Sequence, residues 1–98
     1  MIVVGDASVF IALERIDAMA LLPAVYGEIH VPSAVWREVF VSSQSPQRPV
    51  PGWVVKHDVP NTAPLTPALA SLDAGEIEAI QLALSLHADL LLIDESAG

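Results

Sequence analysis

The hydrophobic pattern of the first third of the chain switches twice between strand-type and helix-type spacing. Residues 2–5 form a continuous apolar run that predicts a strand. Apolar positions from Val9 to Ile16 then follow the spacing of one helix face, and residues 17–26 carry a shorter helical pattern that contains a proline. The order strand, helix, helix is therefore expected before the next strand.

The middle of the chain predicts one further unit of the same kind. Residues 29–31 indicate a short strand, and Pro32 with Ser33 makes a plausible start for a helix over residues 34–41. Residues 42–52 are rich in Ser, Gln and Pro and predict a loop, after which residues 53–57 fit an edge strand.

The last third has the most regular pattern. A second Pro-containing loop over residues 58–67 leads to a helical pattern over residues 76–86, and residues 90–93 predict a buried strand. Strands that alternate with helices indicate βαβ units with right-handed crossovers. We expect a single α/β domain with a mostly parallel sheet.

Composition and charge restrict the function classes. The 98 residues include no cysteine, which excludes disulfides and thiolate metal sites and is compatible with a reducing cytoplasm, the expected location. The apolar fraction is 53%, yet no apolar stretch reaches the roughly 18 residues of a membrane span. A net charge of −8, with 4 basic and 12 acidic residues, leaves no basic patch for nucleic-acid phosphates. Binding of nucleic acid would therefore require a metal, a partner or further chain beyond these residues.

Four acidic residues stand where this fold would bring them together. Asp6 and Asp94 each follow a predicted strand, and Glu38 and Glu76 lie in helical patterns. The carboxyl ends of parallel strands share a crevice in which ligands bind. Hard cations such as Mg²⁺ and Mn²⁺ prefer carboxylate and water oxygens, and such ions activate water for phosphodiester hydrolysis. The pattern indicates a divalent-metal site.

Each acid also has a purely structural interpretation. Asp6 and Asp94 fit the N-cap position of a following helix, and Asp73 with Glu76 has the spacing of a capping box. Glu38 fits a surface helix charge, and Glu78 is expected to be a solvated helix residue. Only the four acids taken together favour a site.

Other residues with catalytic potential form no comparable pattern. His30, His57 and His87 are scattered and predict no pairing with a nucleophile or ligand, and Trp36 and Trp53 are expected to be structural. No phosphate-binding loop or nucleophile elbow is present.

A phosphoacceptor role for Asp6 is the alternative enzyme class. A phosphatase-like site favours a second Asp two residues later, where this chain has Ser8, and a receiver-like site needs a lysine opposite the Asp. Lys56 is the only lysine, and its position fits neither arrangement.

Over nearly its whole length the chain resembles the PIN domains, which include VapC-type toxin ribonucleases. The resemblance rests on four segments in the expected order and spacing: Val3-Val4-Gly5-Asp6-Ala7-Ser8, Val31-Pro32-Ser33-Ala34-Val35 leading to Glu38, Gly75-Glu76-Ile77-Glu78-Ala79-Ile80, and Asp89-Leu90-Leu91-Leu92-Ile93-Asp94-Glu95. It implies a three-layer domain over residues 1–98.

The resemblance also implies a function. Asp6, Glu38, Glu76 and Asp94 would be the catalytic, metal-binding quartet of a Mg²⁺- or Mn²⁺-dependent RNA endonuclease. Ser8 would be a supporting residue, and Glu95 a second one. Toxin-type members commonly form homodimers and are neutralised by a small antitoxin, so both partners are expected by analogy.

The end of the sequence departs from the pattern of similar chains. These usually continue past the fourth acid with an Asp-x-x-x-Gly-Arg type segment, a helix and a strand, whereas this sequence ends at Gly98. We interpret the chain as truncated, with the C-terminal part of the fold missing. A non-catalytic PIN-like interaction module is therefore the alternative to a nuclease.

Overall fold

The structure is a computed structural model that describes residues 1–41, 51–59 and 74–94. Within these ranges the chain forms parallel strands joined by helices. The elements are β1 (Val3–Gly5), α1 (Ala7–Arg15), α2 (Leu21–Tyr26), β2 (Ile29–Pro32), α3 (Ser33–Trp36), a π-helical turn (Arg37–Val41), β3 (Val54–His57), α4 (Ala74–Leu86) and β4 (Leu90–Leu92).

The four described strands form one sheet in the order β3-β2-β1-β4, and every pair is parallel. The chain adds β2 and β3 on one side of β1 and then returns to place β4 on the other side. The strand order thus reverses between β1 and β4, which is the position where open α/β sheets bind ligands. The expected α/β fold is confirmed, with a sheet that is parallel throughout these strands.

Both faces of the sheet are covered because neighbouring residues of a strand point to opposite sides. Val3 packs into a cluster with side chains of α1, α2, α3 and the π-helical turn, centred on the buried Phe10. Val4 packs on the other face against Ala79 and Leu82 of α4. This three-layer arrangement is consistent with a PIN-like fold.

Two helices end in the left-handed conformation without a glycine. Asp17 after α1 has φ 56° and His87 after α4 has φ 52°. In each case the next residue donates its backbone N–H to the helix five positions back, from Ala18 to Leu13 over 2.8 Å and from Ala88 to Ala83 over 2.9 Å. These are the hydrogen bonds of a Schellman cap.

Two sequence expectations were wrong in detail. The strand predicted as buried at residues 90–93 is β4, which lies at the edge of the described sheet and leaves Leu90 41% exposed. The single helix predicted for residues 34–41 is a four-residue α-helix followed by the π-helical turn, a feature that is frequent at functional sites. The predicted edge strand near Trp53 is confirmed as β3.

Some expectations concern residues outside the described ranges, namely most of the two Pro-containing loops, Asp73 of the suggested capping box, and Glu95. The helices in the described ranges include no candidate for a membrane span.

Candidate acidic site

The two acids that follow strands meet at the carboxyl edge of the sheet. Asp6 comes directly after β1, and Asp94 comes two residues after β4. These strands are neighbours, with Gly5 paired to Leu92, and the backbone N–H of Asp6 donates to the carbonyl of Leu92 over 3.0 Å. Both residues therefore border the crevice at which the strand order reverses.

Asp6 is the only charged residue that is buried in the described parts of the chain, with 4% of its surface exposed. It occupies the N-cap position of α1, but its side chain makes no capping hydrogen bond. Its carboxylate oxygen Oδ2 instead accepts a hydrogen bond from Ser8 Oγ over 3.1 Å. The structural interpretation of Asp6 as a side-chain cap is therefore not supported.

Ser8 links the two acids. Besides donating to Asp6, its Oγ accepts a hydrogen bond from the backbone N–H of Asp94 over 3.0 Å. A single hydroxyl thus orients the carboxylate after β1 and fixes the backbone after β4. A supporting role for Ser8 follows from the sequence only through the resemblance, and the position of Ser8 between Asp6 and Asp94 provides a physical reason for that role.

The two helical acids lie on other elements, the π-helical turn and α4. Glu76 is partly buried in the first turn of α4, and Glu38 is exposed in the π-helical turn. In residues 1–41, 51–59 and 74–94, no three His, Asp or Glu side chains converge as a ready-made metal site. The roles of all four acids as ligands remain predictions.

The residues at the strand ends nevertheless fit a hard divalent cation. A buried carboxylate is unfavourable without a compensating charge or sufficient hydrogen bonds, and among the described residues Asp6 accepts one side-chain hydrogen bond, from Ser8. Mg²⁺ usually keeps several waters and uses only one or two protein carboxylates together with substrate phosphates. Asp6 and Asp94 could meet that requirement.

Glu78 corrects an expectation from the sequence. It was predicted to be a solvated helix residue, but it is partly buried, and its Oε1 accepts hydrogen bonds from the backbone N–H of Ala34 over 3.2 Å and from Ser33 Oγ over 3.5 Å. The signal in the sequence was Pro32. A proline at the N-cap of α3 has no side-chain acceptor, so another residue must satisfy the first amides of the helix.

Two histidines that appear scattered in the sequence are paired in the fold. His30 Nδ1 and His57 Nε2 lie 2.8 Å apart across the β2–β3 pair, with ring centroids 5.0 Å apart. Burial, and secondarily the charge of His30, lower the pKa of His57. The register explains the contact, because His30 pairs with Val55, two residues before His57 on the same face.

The position of Lys56 does not support a phosphoacceptor site. Its Nζ lies 4.7 Å from the centroid of the Trp36 ring and 4.0 Å from Asp58 Oδ1. Trp36 and Trp53 both pack against the core, and Trp53 stacks on Phe10 with a centroid distance of 6.3 Å. The structural interpretation of both tryptophans is confirmed.

A wide apolar groove lies beside the acidic site, between α1, α2 and β4. It has a volume of about 560 Å³, and its lining ends at Asp94. The side chains of Leu21 and Val25 on α2 are more than half exposed along it. Apolar surface of this kind is a candidate for contact with another protein.

Comparison with known proteins places the whole described fold within one family model. The model of a PIN domain family (DUF3368) matches residues 2–98. The match includes every described strand and helix as well as the candidate acidic residues. No curated protein and no solved structure matched the chain.

Proposed function

The chain belongs to the PIN domain family, and from this premise we propose that it is a divalent-metal-dependent endoribonuclease. The observation that carries the proposal is the junction of Asp6, Ser8 and Asp94 at the point where the strand order reverses. Carboxylates at such a crevice suit metal-assisted hydrolysis of a phosphodiester. PIN domains are a family that often includes nucleases, and RNA is the substrate we propose.

In this proposal the acids divide into two groups. Asp6 and Asp94 hold Mg²⁺ or Mn²⁺ directly, while Glu38 and Glu76 complete the site directly or through water. A bound ion of this kind would supply an activated water and stabilise the charge that develops on the phosphodiester oxygens. The chain supplies the oxygen ligands and their orientation.

The protein itself contributes the orientation of the metal ligands, through Ser8 and through the burial of Asp6. The hydrogen bond from Ser8 limits the rotation of the Asp6 carboxylate, and the contact to the Asp94 amide holds the two strand ends at a fixed separation. Partners that orient ligands in this way are important for metal affinity. In this proposal, the strand ends hold Asp6 and Asp94 in position before the metal binds.

The charge of the protein predicts weak binding to RNA without metal. With 12 acidic and 4 basic residues, few phosphates can be neutralised by side chains. The metal would therefore provide both the chemistry and much of the attraction for the substrate. We expect cleavage to show a modest dependence on salt.

Cleavage of a fluorogenic single-stranded RNA with added Mn²⁺ tests the proposal. We expect cleavage by the unmodified protein that EDTA abolishes and that Asp94→Asn reduces by at least about 100-fold, since a ligand carboxylate is lost. Asp58→Asn is the matched control, because the Asp58 side chain is 89% exposed and lies 4.0 Å from Lys56 Nζ, away from the acids of the candidate site. Equal loss in both variants, or cleavage that persists in EDTA, would contradict the proposal.

A second candidate function is that of a non-catalytic interaction module. The apolar groove between α1, α2 and β4, together with the acidic charge, favours this alternative. In that case Val25→Lys, on the exposed wall of the groove, lowers partner binding or self-association, measured by light scattering. RNA would then remain uncut under every metal condition. A homodimer and a small antitoxin are the partners proposed from the family.

A further inference from the structure

The shortest described α-helix depends on a carboxylate from another element. α3 comprises only four residues, and isolated helices of that length are not stable in water. Its N-cap is Pro32, whose side chain makes no capping hydrogen bond. The amide of Ala34 is satisfied instead by Glu78 of α4, which lies 44 residues away in the sequence.

From this contact we infer that Glu78 is a positioning residue that holds α3 and the π-helical turn against α4. The π-helical turn follows α3 without a break and carries Glu38, while α4 carries Glu76 two residues before Glu78. The Glu78 carboxylate therefore ties together the two elements that bear the helical members of the predicted quartet. The inference rests on the proposed metal-dependent function.

The distances indicate why the length of the side chain at position 78 should matter more for this contact than its charge. Oε1 of Glu78 accepts from the Ala34 amide at 3.2 Å and from the Ser33 hydroxyl at 3.5 Å, so a single acceptor atom serves both donors. Glutamine keeps an acceptor oxygen at the same distance from the backbone. Aspartate keeps the charge but is one methylene shorter, so it cannot reach these donors without moving α3.

Two variants of Glu78 separate positioning from a direct effect of its charge. Mn²⁺ affinity is measured by calorimetry for Glu78→Gln and Glu78→Asp, with circular dichroism to verify folding. We expect Glu78→Asp to weaken Mn²⁺ binding by about tenfold, as for other residues that orient metal ligands. Glu78→Gln should bind within a factor of about three, because a neutral acceptor still forms the hydrogen bond.

Control variants distinguish failure of the positioning role of Glu78 from failure of the proposed metal site. Glu28→Ala removes an exposed glutamate before β2, at the opposite edge of the sheet, and should leave Mn²⁺ affinity unchanged. The reverse order of the two Glu78 variants, or wild-type affinity in both, overturns the positioning role. If Asp6→Asn lowers affinity while Glu78→Asp does not, only the positioning role is lost. If the unmodified protein binds no Mn²⁺, both proposals are lost.

A second variant covers the case in which Glu78→Asp does not fold. Ser33→Ala removes only the longer of the two hydrogen bonds and keeps the contact with the Ala34 amide. We expect it to weaken Mn²⁺ binding by roughly threefold, a smaller loss than for a complete break of the contact. Unchanged affinity in folded Ser33→Ala would then overturn the inference.

Discussion

The hydroxyl of Ser8 lies 3.0 Å from the backbone nitrogen of Asp94, although 86 residues separate them in the sequence. This hydrogen bond connects the first turn of α1 to the segment that follows β4. Because the same hydroxyl donates to Asp6, any change at Ser8 acts on both strand-end acids at once.

We predict that Ser8→Ala reduces both stability and metal affinity. The loss of a partly buried hydroxyl that makes two hydrogen bonds should lower the free energy of unfolding by about 1–3 kcal/mol. Mn²⁺ affinity should fall by at least about tenfold, because the Asp6 carboxylate is no longer oriented. Urea unfolding and calorimetry measure the two effects.

Ser85→Ala provides the comparison for Ser8→Ala. Ser85 is exposed on α4, so its removal should change neither quantity appreciably. If Ser8→Ala has the same Mn²⁺ affinity as the unmodified protein, the proposal that the Ser8 hydroxyl orients the metal ligands is wrong.

The His30–His57 pair predicts a pH-dependent stability. A hydrogen bond between the facing nitrogens, 2.8 Å apart, needs one nitrogen protonated and the other free to accept, so a proton on the accepting nitrogen breaks the bond and brings two N–H groups face to face. The pKa of His57 is lowered in the fold, first by burial and then by His30. The unfolded chain therefore binds more protons between the folded pKa and the ordinary value of about 6.5.

It follows that the contribution of His57 is complete above pH of about 6.5 and decreases as the pH falls toward the lowered pKa. We expect His57→Gln to reduce the slope of thermal stability between pH of about 5 and 7. His87→Asn is the control, because His87 is exposed and its left-handed backbone conformation suits asparagine. An unchanged slope in His57→Gln would contradict this account.

Gly5 is required by close packing at the end of β1. A Cβ at this position would lie 3.0 Å from Ile29 Cγ2 and 3.0 Å from Phe10 Cε2, both in buried core side chains. We predict that Gly5→Ala lowers the free energy of unfolding by about 1–3 kcal/mol through overpacking. Because Asp6 is the next residue, the strain should also weaken metal binding.

Gly52→Ala tests whether the effect of Gly5→Ala is local. A Cβ at Gly52 meets no atom within 4 Å, so we expect little change in its denaturant midpoint. Equal denaturant midpoints for the two alanine variants would show that close packing around Gly5 does not restrict the side chain at this position.

Much of the fold was predictable from local sequence patterns. The apolar run before Asp6 and the helical spacing after it identified β1 and α1, because burial imposes these periodicities directly. The position of Asp6 and Asp94 at one edge followed from the parallel arrangement of their strands. The triple-leucine strand was misjudged as buried, since an apolar run does not reveal whether a neighbouring strand covers it.

The remaining features depend on contacts between distant segments. The His30–His57 pair requires the register of β2 and β3, which neither strand encodes alone. The role of Glu78 requires the packing of α4 against α3. The π-helical turn was also not predictable, because Val35, Val39 and Phe40 fit an ordinary helix pattern as well.

We propose above all that the acids at the carboxyl edge of the sheet form a divalent-metal site. Its most direct test is calorimetric titration with Mn²⁺ of the unmodified protein and of Asp6→Asn, with Asp17→Asn as a control at an exposed position that tolerates asparagine. We predict binding by the unmodified protein and by Asp17→Asn, and loss of binding in a folded Asp6→Asn variant. Equal affinity in all three proteins, or no binding by the unmodified protein, would contradict it.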